Sequence, residues 1–168
     1  DDVIIGIKSS GFHSNGYSLI NNMLNKNKIK LGDKIGKTKL GEQLIKPTKI
    51  YTDILKIKSF CKIKAIANIT GGGLTENIPR VLPKNKSAQL DYKKIKQNKI
   101  FSYIQKKGNI DTKEMLRVFN CGIGITLVCN KSDADLIINE LKNLKISSKI
   151  IGNIVSKKGS PTVSYLNI

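Results

Sequence analysis

Two glycine-rich turns, each directly after a run of β-branched residues, constrain the fold of this chain more than any other feature. The first turn occupies residues 9–16 (SSGFHSNG) after a β-type run at 3–7, and the second occupies residues 70–73 (TGGG) after a run at 65–69. Glycine lets backbone N–H groups approach a ligand closely, and a helix that begins after such a turn points its positive end at an anion. The pair therefore predicts part of a site for a phosphate-bearing ligand.

β-type and helix-type runs alternate along the whole chain. Strands are predicted at residues 3–7, 65–69, 122–129 and 146–155, with short edge strands at 88–91 and 162–166. Helices are predicted at residues 17–24, 41–45, 51–60, 74–82, 95–107, 111–119 and 132–144, the last capped by Ser132. The alternation predicts an α/β (α+β) fold in which helices cover one mixed sheet. The length of 168 residues predicts a single domain over 1–168.

The net charge of +18 raises nucleic acid as a partner. Of the 30 basic residues, however, only Arg80 and Arg117 are arginine, and the lysines are spread along the chain. The densest stretch, residues 84–107, has no arginine for bidentate contacts to bases. Abundant Lys, Ile and Asn are typical of A/T-rich coding, so we interpret the charge as a solvated surface and predict no nucleic-acid partner.

The sequence also limits location and metal binding. No run of about 18 apolar residues occurs, so no membrane partner is predicted. The chain opens with Asp1, Asp2 and a strand-like run in place of Met or a leader, and we expect it to be a piece of a longer protein. The three cysteines lack C-x-x-C spacing and there is one histidine, so we expect reduced thiols, a cytoplasmic location and no metal site.

The first turn carries the groups best suited to proton transfer and hydrogen bonding. His13 has an ordinary pKa near 6.5, so it can accept or donate a proton close to neutrality. Ser10, Ser14 and Asn15 add hydroxyl and amide groups beside it. The alternative interpretation is a helix-capping turn in which His13 is only a hydrogen-bonded structural side chain.

The second turn holds three consecutive glycines, each of which disfavours regular structure by about 1 kcal/mol relative to Ala. A plain turn rarely needs three, so Thr70 and the glycines predict a phosphate cradle; close packing of a helix on a strand is the alternative. Neither the P-loop nor the dinucleotide-binding pattern is present. Arg80, in the helix after the glycines, is a candidate phosphate contact, with an exposed helix face as the alternative.

Four segments occur in an order that resembles a known family. They are residues 9–19 (SSGFHSNGYSL), 47–51 (PTKIY), 69–83 (ITGGGLTENIPRVLP) and 119–124 (FNCGIG). This set closely resembles the C-terminal domain of the phosphoribosylformylglycinamidine cyclo-ligase (aminoimidazole ribonucleotide synthetase) family, and it covers nearly the whole chain. The resemblance implies a partly ferredoxin-like C-terminal domain of a two-domain, homodimeric enzyme, whose N-terminal ATP-binding domain is absent from this chain.

The resemblance also implies an activity. Family members use ATP to close the imidazole ring of formylglycinamidine ribonucleotide, giving aminoimidazole ribonucleotide, ADP and phosphate in purine biosynthesis. ATP and Mg²⁺ are held mostly by the N-terminal domain. The C-terminal domain of selenophosphate synthetase, thiamine-monophosphate kinase or formylglycinamidine ribonucleotide synthetase is an alternative with the same fold, and a basic nucleic-acid-binding module is an alternative of another class.

Together, the two turns and the resemblance give the candidate site residues. His13 and Asn15 are the catalytic candidates, with His13 either transferring a proton or stabilising developing charge. Substrate or phosphate contacts are expected from Ser10, Gly11, Ser14, Thr70, Gly71, Gly72, Gly73 and Arg80. Asn68 and Asn120 are further candidates for the cleft. Relatives often carry His where this chain has Asn68, so that position keeps hydrogen bonding but loses a proton-transfer group.

Overall fold

The computed structural model describes residues 1–95 and 98–168. Its strands are β1 (Asp2–Lys8), β2 (Lys34–Ile35), β3 (Thr38–Lys39), β4 (Ile63–Asn68), β5 (Lys86–Asp91), β6 (Ile123–Asn130), β7 (Ser148–Ser156) and β8 (Val163–Leu166). Its α-helices are α1 (Tyr17–Asn25), α2 (Leu40–Leu44), α3 (Gly73–Asn77), α4 (Tyr92–Ile95), α5 (Lys99–Gly108), α6 (Thr112–Val118) and α7 (Ala134–Asn143). Short 3₁₀ helices lie at Thr52–Lys56, Lys58–Lys62, Ile78–Val81 and Lys131–Asp133.

In the described residues, six strands form one sheet in the order β4-β6-β1-β7-β5-β8, and β2 and β3 form a separate hairpin. Neighbouring strands in the sheet are antiparallel except β5 and β8, which are parallel. The predicted mixed sheet covered by helices is therefore confirmed. Strand β5 was predicted to lie at an edge, and this was wrong. It pairs with β7 on one side and with β8 on the other, because the chain returns after residue 161 to cover it.

Both faces of the sheet are buried, which follows from the continuous β-branched run in β1. Ile4 faces a cluster that α1, α3, α5 and α6 cover, whereas Ile5 faces a second cluster against α7. Successive side chains of a strand point to opposite faces, so each isoleucine contributes to one of the two clusters. Burial of each such side chain stabilises the fold by about 1.5–3 kcal/mol.

The connection from β6 through α7 to β7 places β1 between two parallel strands. β1 is antiparallel to both β6 and β7, so the unit is a split β-α-β arrangement. This arrangement is the part of the fold that is ferredoxin-like, as the resemblance implied. It also brings the carboxyl end of β1 next to the start of β6, where the first glycine-rich turn begins.

Several predicted elements differ from the structure. The predicted helix at 51–60 is two 3₁₀ helices, because Ile57 is extended (φ −72°, ψ 138°) and separates them. Ile54 and Ile57 are nevertheless buried in the same cluster, the one against α7. Ser132 does not cap α7; it lies in a 3₁₀ turn, and Asp133 precedes the helix without a side-chain capping bond.

The predicted helix at 95–107 is divided in the structure. Helix α4 is described over Tyr92–Ile95, and α5 begins at Lys99 after the extended Asn98, whose side chain accepts a hydrogen bond from the Ile100 N–H. Residues 96 and 97, which the prediction also included, lie outside the described residues. The predicted helix at 74–82 becomes α3 followed by a 3₁₀ turn that contains Pro79, in line with the expected effect of proline on a helix.

Candidate active site

The first glycine-rich turn follows β1 and has an unusual backbone. His13 and Ser14 both have left-handed conformations, with φ of 52° and 59°, and Gly16 has φ of 77°. Left-handed conformations are unfavourable for residues with a Cβ, so surrounding contacts must hold this turn in place. Packing also requires glycine at position 16, because a Cβ there would overlap the ring of Phe119. The turn ends where α1 begins at Tyr17.

The imidazole of His13 is buried and held through Nε2. The Ser10 N–H donates to Nε2 at 3.0 Å, and the Lys49 N–H donates to it at 3.4 Å. The Ser10 hydroxyl oxygen also lies 3.0 Å from Nε2. The two backbone N–H groups directed at Nε2 favour the neutral tautomer that has its proton on Nδ1. Burial, and secondly the nearby Lys49 ammonium, lower the pKa of His13 below its ordinary value. The imidazole of His13 is therefore neutral near pH 7.

Gly124 makes room for this imidazole. A Cβ on Gly124 would overlap the Tyr51 hydroxyl and lie 2.7 Å from His13 Cε1. The Tyr51 hydroxyl donates to the Lys8 carbonyl at 3.0 Å, and burial raises the pKa of that phenol. Lys49 Nζ lies 5.5 Å from the centre of the Tyr51 ring. The segment around Lys49 and Tyr51 thus lies against His13.

Asn120 anchors the first turn to the start of β6. It is fully buried, and its Nδ2 donates to the Gly11 carbonyl at 2.8 Å. Its Oδ1 accepts from the Gly122 N–H at 2.8 Å and from the Ser9 hydroxyl at 3.3 Å. The Ser9 N–H also donates to the Gly122 carbonyl at 2.9 Å. The structure therefore gives Asn120 a supporting role inside the turn, away from the surface that a ligand would contact.

The second glycine-rich turn is held from inside by one buried amide. Asn77 Nδ2 donates to the Gly73 carbonyl at 2.8 Å, to the Gly71 carbonyl at 3.0 Å and to the Thr70 carbonyl at 3.4 Å. Its Oδ1 accepts from the Thr70 hydroxyl at 3.1 Å. The carbonyls of the turn thus point inward. No hydrogen bond joins the Gly71 or Gly72 N–H to another described residue.

The three glycines meet different requirements. Gly73 has φ of 57°, and a Cβ there would overlap the Leu116 carbonyl oxygen. Gly72 has φ of 93°, with the Glu76 side chain packed against it. Gly71 has neither constraint, since a Cβ would meet only Asn15 Oδ1 at 3.7 Å. Close helix packing, the alternative interpretation, therefore explains Gly73 but leaves Gly71 unexplained.

The two turns meet through Asn15. Its Nδ2 donates to the His13 carbonyl at 2.7 Å, while its Oδ1 faces Gly71. Two segments more than fifty residues apart in sequence are therefore adjacent, with unpaired glycine N–H groups beside the His13 turn. Ser10, also in the first turn, donates its hydroxyl to the Pro47 carbonyl at 2.7 Å. Gly11 is buried beside Asn120, and Ser14 is exposed.

Three further candidates are exposed. Asn68 is the last residue of β4, Thr70 begins the second turn, and Arg80 lies in the 3₁₀ helix that follows α3. Arg80 lies 4.0 Å from the Glu76 carboxylate, an exposed ion pair of small energetic value. The Glu76 carboxylate would lie 2.5 Å from a Cβ on Gly72, so it also covers part of the glycine turn. An anion bound at Gly72 therefore requires Glu76 to move.

Sequence reasoning missed three residues that organise this region: Asn77, Tyr51 and Glu76. Each lies in a segment whose letters were used for the family resemblance, but only the three-dimensional contacts show what each does. Among the described residues, no group of three His, Cys, Asp or Glu side chains lies close enough to hold a metal ion. Within the same residues, no helix is long and apolar enough to cross a membrane.

The fold and the paired turns define an α/β domain with a six-stranded mixed sheet. Solved structures with this fold include thiamine-monophosphate kinase from Stenotrophomonas maltophilia K279a (TM-score 0.58, 14% identity, covering 97% of this chain and 50% of that one). E. coli HypE, a hydrogenase maturation protein, is similar (TM-score 0.59, 14% identity, covering 99% of this chain and 46% of that one). Identities this low show the fold alone.

The family is shown by sequence. Residues 1–164 match the family described as "AIR synthase related protein, C-terminal domain", and the chain belongs to that family. It is 43% identical over 163 residues to phosphoribosylformylglycinamidine cyclo-ligase of Finegoldia magna, covering 96% of this chain and 47% of the relative. It is 39% identical over 173 residues to the human trifunctional purine biosynthetic protein adenosine-3, covering 99% of this chain and 17% of that protein. The chain thus spans less than half the length of these relatives.

Proposed function

We propose that this chain is the C-terminal half of an ATP-dependent cyclo-ligase that converts formylglycinamidine ribonucleotide to aminoimidazole ribonucleotide in purine biosynthesis. The observation that carries the proposal is an identity of about 40% to proteins named as this cyclo-ligase across more than nine-tenths of the chain. The reaction transfers the γ-phosphoryl group of ATP to the formamide oxygen. The amidine nitrogen then attacks the activated carbon, and phosphate leaves with that oxygen.

The two halves of the proposed enzyme would have different roles. The N-terminal half would bind ATP and Mg²⁺ and form the homodimer, and the whole enzyme would be cytoplasmic. This chain, over 1–168, would cover the substrate. The contacts that we propose for this chain are hydrogen bonds to the substrate and the charge of Arg80.

His13 would act as a neutral donor. Its Nε2 is occupied by backbone N–H groups of Ser10 and Lys49, so that nitrogen does not serve as a general base in this geometry. The Nδ1–H is the proton that remains to hydrogen bond to charge developing on the substrate. This assignment selects charge stabilisation over proton transfer, the two roles considered from the sequence, and such a donor accelerates a reaction by about 10²–10³-fold.

The glycine turn would hold the ribose phosphate. The Gly71 and Gly72 N–H groups make no hydrogen bond to other described residues, and Asn77 keeps the carbonyls of the turn directed away from the ligand. The Glu76 carboxylate must turn away from Gly72 for the phosphate to enter. Arg80, released from Glu76 by that movement, could then pair with the phosphate.

A titration monitored by NMR tests the placement. The 168-residue chain is titrated with formylglycinamidine ribonucleotide and, separately, with ribose 5-phosphate at moderate salt. Half a site binds with a Kd near 1 mM, equivalent to about −4 kcal/mol, which NMR detects. We expect both compounds to shift the amide signals of Gly71 and Gly72, and only the full substrate to shift those of His13 and Asn15.

A short DNA duplex is the comparator for charge. Shifts caused by DNA alone, spread over the lysines, would contradict the enzyme proposal and favour a basic nucleic-acid-binding module. Activity is tested by joining the N-terminal part of the Finegoldia magna relative to this chain. The folded chimera should release ADP only when formylglycinamidine ribonucleotide is present, and a folded, inactive chimera would count against the assignment.

A further inference from the structure

A cavity lies outside the two glycine-rich turns, on another part of the molecule. It has a volume of about 650 Å³, within the usual range for sites that take small molecules. Its walls come from the ends of β1 and β7, the β2–β3 hairpin and the start of α5. Neither the His13 turn nor the Thr70–Gly73 turn contributes a lining residue. The lining residue Gly122, whose carbonyl accepts from the Ser9 N–H, connects this cavity to the first turn.

Four lysines that are far apart in sequence converge on this cavity: Lys8, Lys37, Lys99 and Lys149. The lysines are spread along the sequence, but the fold brings these four to the wall of one cavity. None of the described lining residues is Asp or Glu. In the described part of the chain, none of the four lysines takes part in an ion pair.

The positions of two of these lysines are electrostatically unfavourable without a ligand. Lys149 is half-buried, and its burial together with the nearby Lys94 ammonium lowers the pKa of Lys149. Lys99 is the first residue of α5, whose first turn has no acidic residue, so its charge adds to the positive end of the helix dipole. Like charges gathered around one cavity repel one another, and a polyanion inside it would remove that repulsion.

The remaining walls of the cavity are partly apolar. Ile35, Ile95, Ile100 and Ile123 line the cavity beside the lysines, giving it apolar and cationic parts. Gly36, at the tip of the hairpin next to Lys37, has φ of 64° and open space around it. Gly36 therefore adds no side chain to this wall of the cavity.

From this arrangement we infer that the lysine-lined cavity is a second ligand site, which binds a nucleotide-like molecule with its phosphates against the lysines and its ring against the isoleucines. The inference does not rest on the proposed function. It concerns residues that lie outside the two glycine-rich turns, and it would stand for a chain with another activity.

The test titrates the chain with ATP, without added metal, and compares adenosine and tripolyphosphate. We expect ATP to shift the amide signals of Gly36, Lys37, Gly122 and Lys149 and to bind at least tenfold more tightly than adenosine. We expect tripolyphosphate to bind at least threefold more weakly than ATP. Equal binding of ATP and tripolyphosphate would refute the ring-binding part, and shifts spread evenly over exposed lysines would refute the site.

Matched variants separate this site from the general effect of charge. Lys99→Gln/Lys149→Gln removes two charges from the cavity, whereas Lys84→Gln/Lys158→Gln removes two exposed charges near the opposite end of β7. The first pair should raise the Kd for ATP at least fivefold, and the second less than twofold. Similar losses from both pairs would overturn the inference. The single variant Lys37→Gln, at the exposed hairpin tip, provides a second measurement if the first pair disturbs folding.

Discussion

Replacing Gly73 and Gly71 by alanine separates the packing role of the glycine turn from its ligand role. At Gly73, alanine must adopt φ of 57°, and its Cβ would overlap the Leu116 carbonyl oxygen and lie 2.7 Å from the Phe119 carbonyl oxygen. Both obstacles are backbone atoms of or next to α6, so they yield only if α3 and α6 move apart. At Gly71, the added Cβ meets Asn15 Oδ1 at 3.7 Å, an ordinary contact distance.

The expected energies follow from these contacts. A left-handed conformation costs an alanine about 1–2 kcal/mol. Forcing an extra carbon into a packed interface costs about 1–3 kcal/mol more. Gly73→Ala should therefore lower the free energy of unfolding by about 2–5 kcal/mol. Gly71→Ala removes freedom from the unfolded chain without strain in the folded one, so it should leave stability unchanged or raise it by about 0.4–1 kcal/mol.

Urea denaturation of the three proteins measures both effects, provided that the slope of each transition is unchanged. The same Gly71→Ala chain should show weaker binding of ribose 5-phosphate, because its new methyl group lies where the phosphate approaches the N–H groups. A stable Gly73→Ala variant, or a Gly71→Ala variant destabilised by more than about 1 kcal/mol, would refute the assignment of packing to one glycine and ligand access to the other.

Three further predictions concern single side chains. The pKa of His13 is lowered in the folded chain, so the unfolded chain binds more protons as the pH falls through about 6.5. The free energy of unfolding should therefore decrease on acidification, and His13→Gln should reduce that decrease in denaturation measured at several pH values. Asn77→Ala should destabilise the chain by about 1–3 kcal/mol, since it leaves buried carbonyls of the glycine turn without donors, as thermal unfolding would show. In the cyclo-ligase chimera, His13→Ala should lower kcat about 10²-fold, and an unchanged kcat would remove His13 from the reaction.

The sequence predicts local features of this fold better than contacts between distant segments. The buried strands β1 and β6 are evident from their β-branched runs, and the end of α3 is evident from Pro79. The interior position of β5 is not, because it depends on β8 returning along its other side after residue 161. Periodicity cannot distinguish an α-helix from a 3₁₀ helix over 52–56, where both bury Ile54.

In the candidate site, too, the sequence predicts the local turns but not the contacts between distant segments. The turns around His13 and Gly71 are recognisable from glycine and polar residues, and the structure places them side by side. Which atoms point inward is not visible in the sequence. The occupation of His13 Nε2 requires the Lys49 backbone to fold over the ring, and the convergence of Lys99 and Lys149 requires α5 to pack near the start of β7.

The two candidate turns depend on a third, formed by the residues between α6 and β6. Phe119 places its ring where a side chain on Gly16 would be and its carbonyl oxygen against Gly73, so one residue contacts both turns. The next residue, Asn120, holds the first turn through the Gly11 carbonyl. Because a packed core moves in discrete steps and does not deform smoothly, a shift of this connection would displace the His13 turn and the glycine turn together. The separation between the two halves of the proposed substrate site is therefore fixed by Phe119 and Asn120, which contact the turns on both sides.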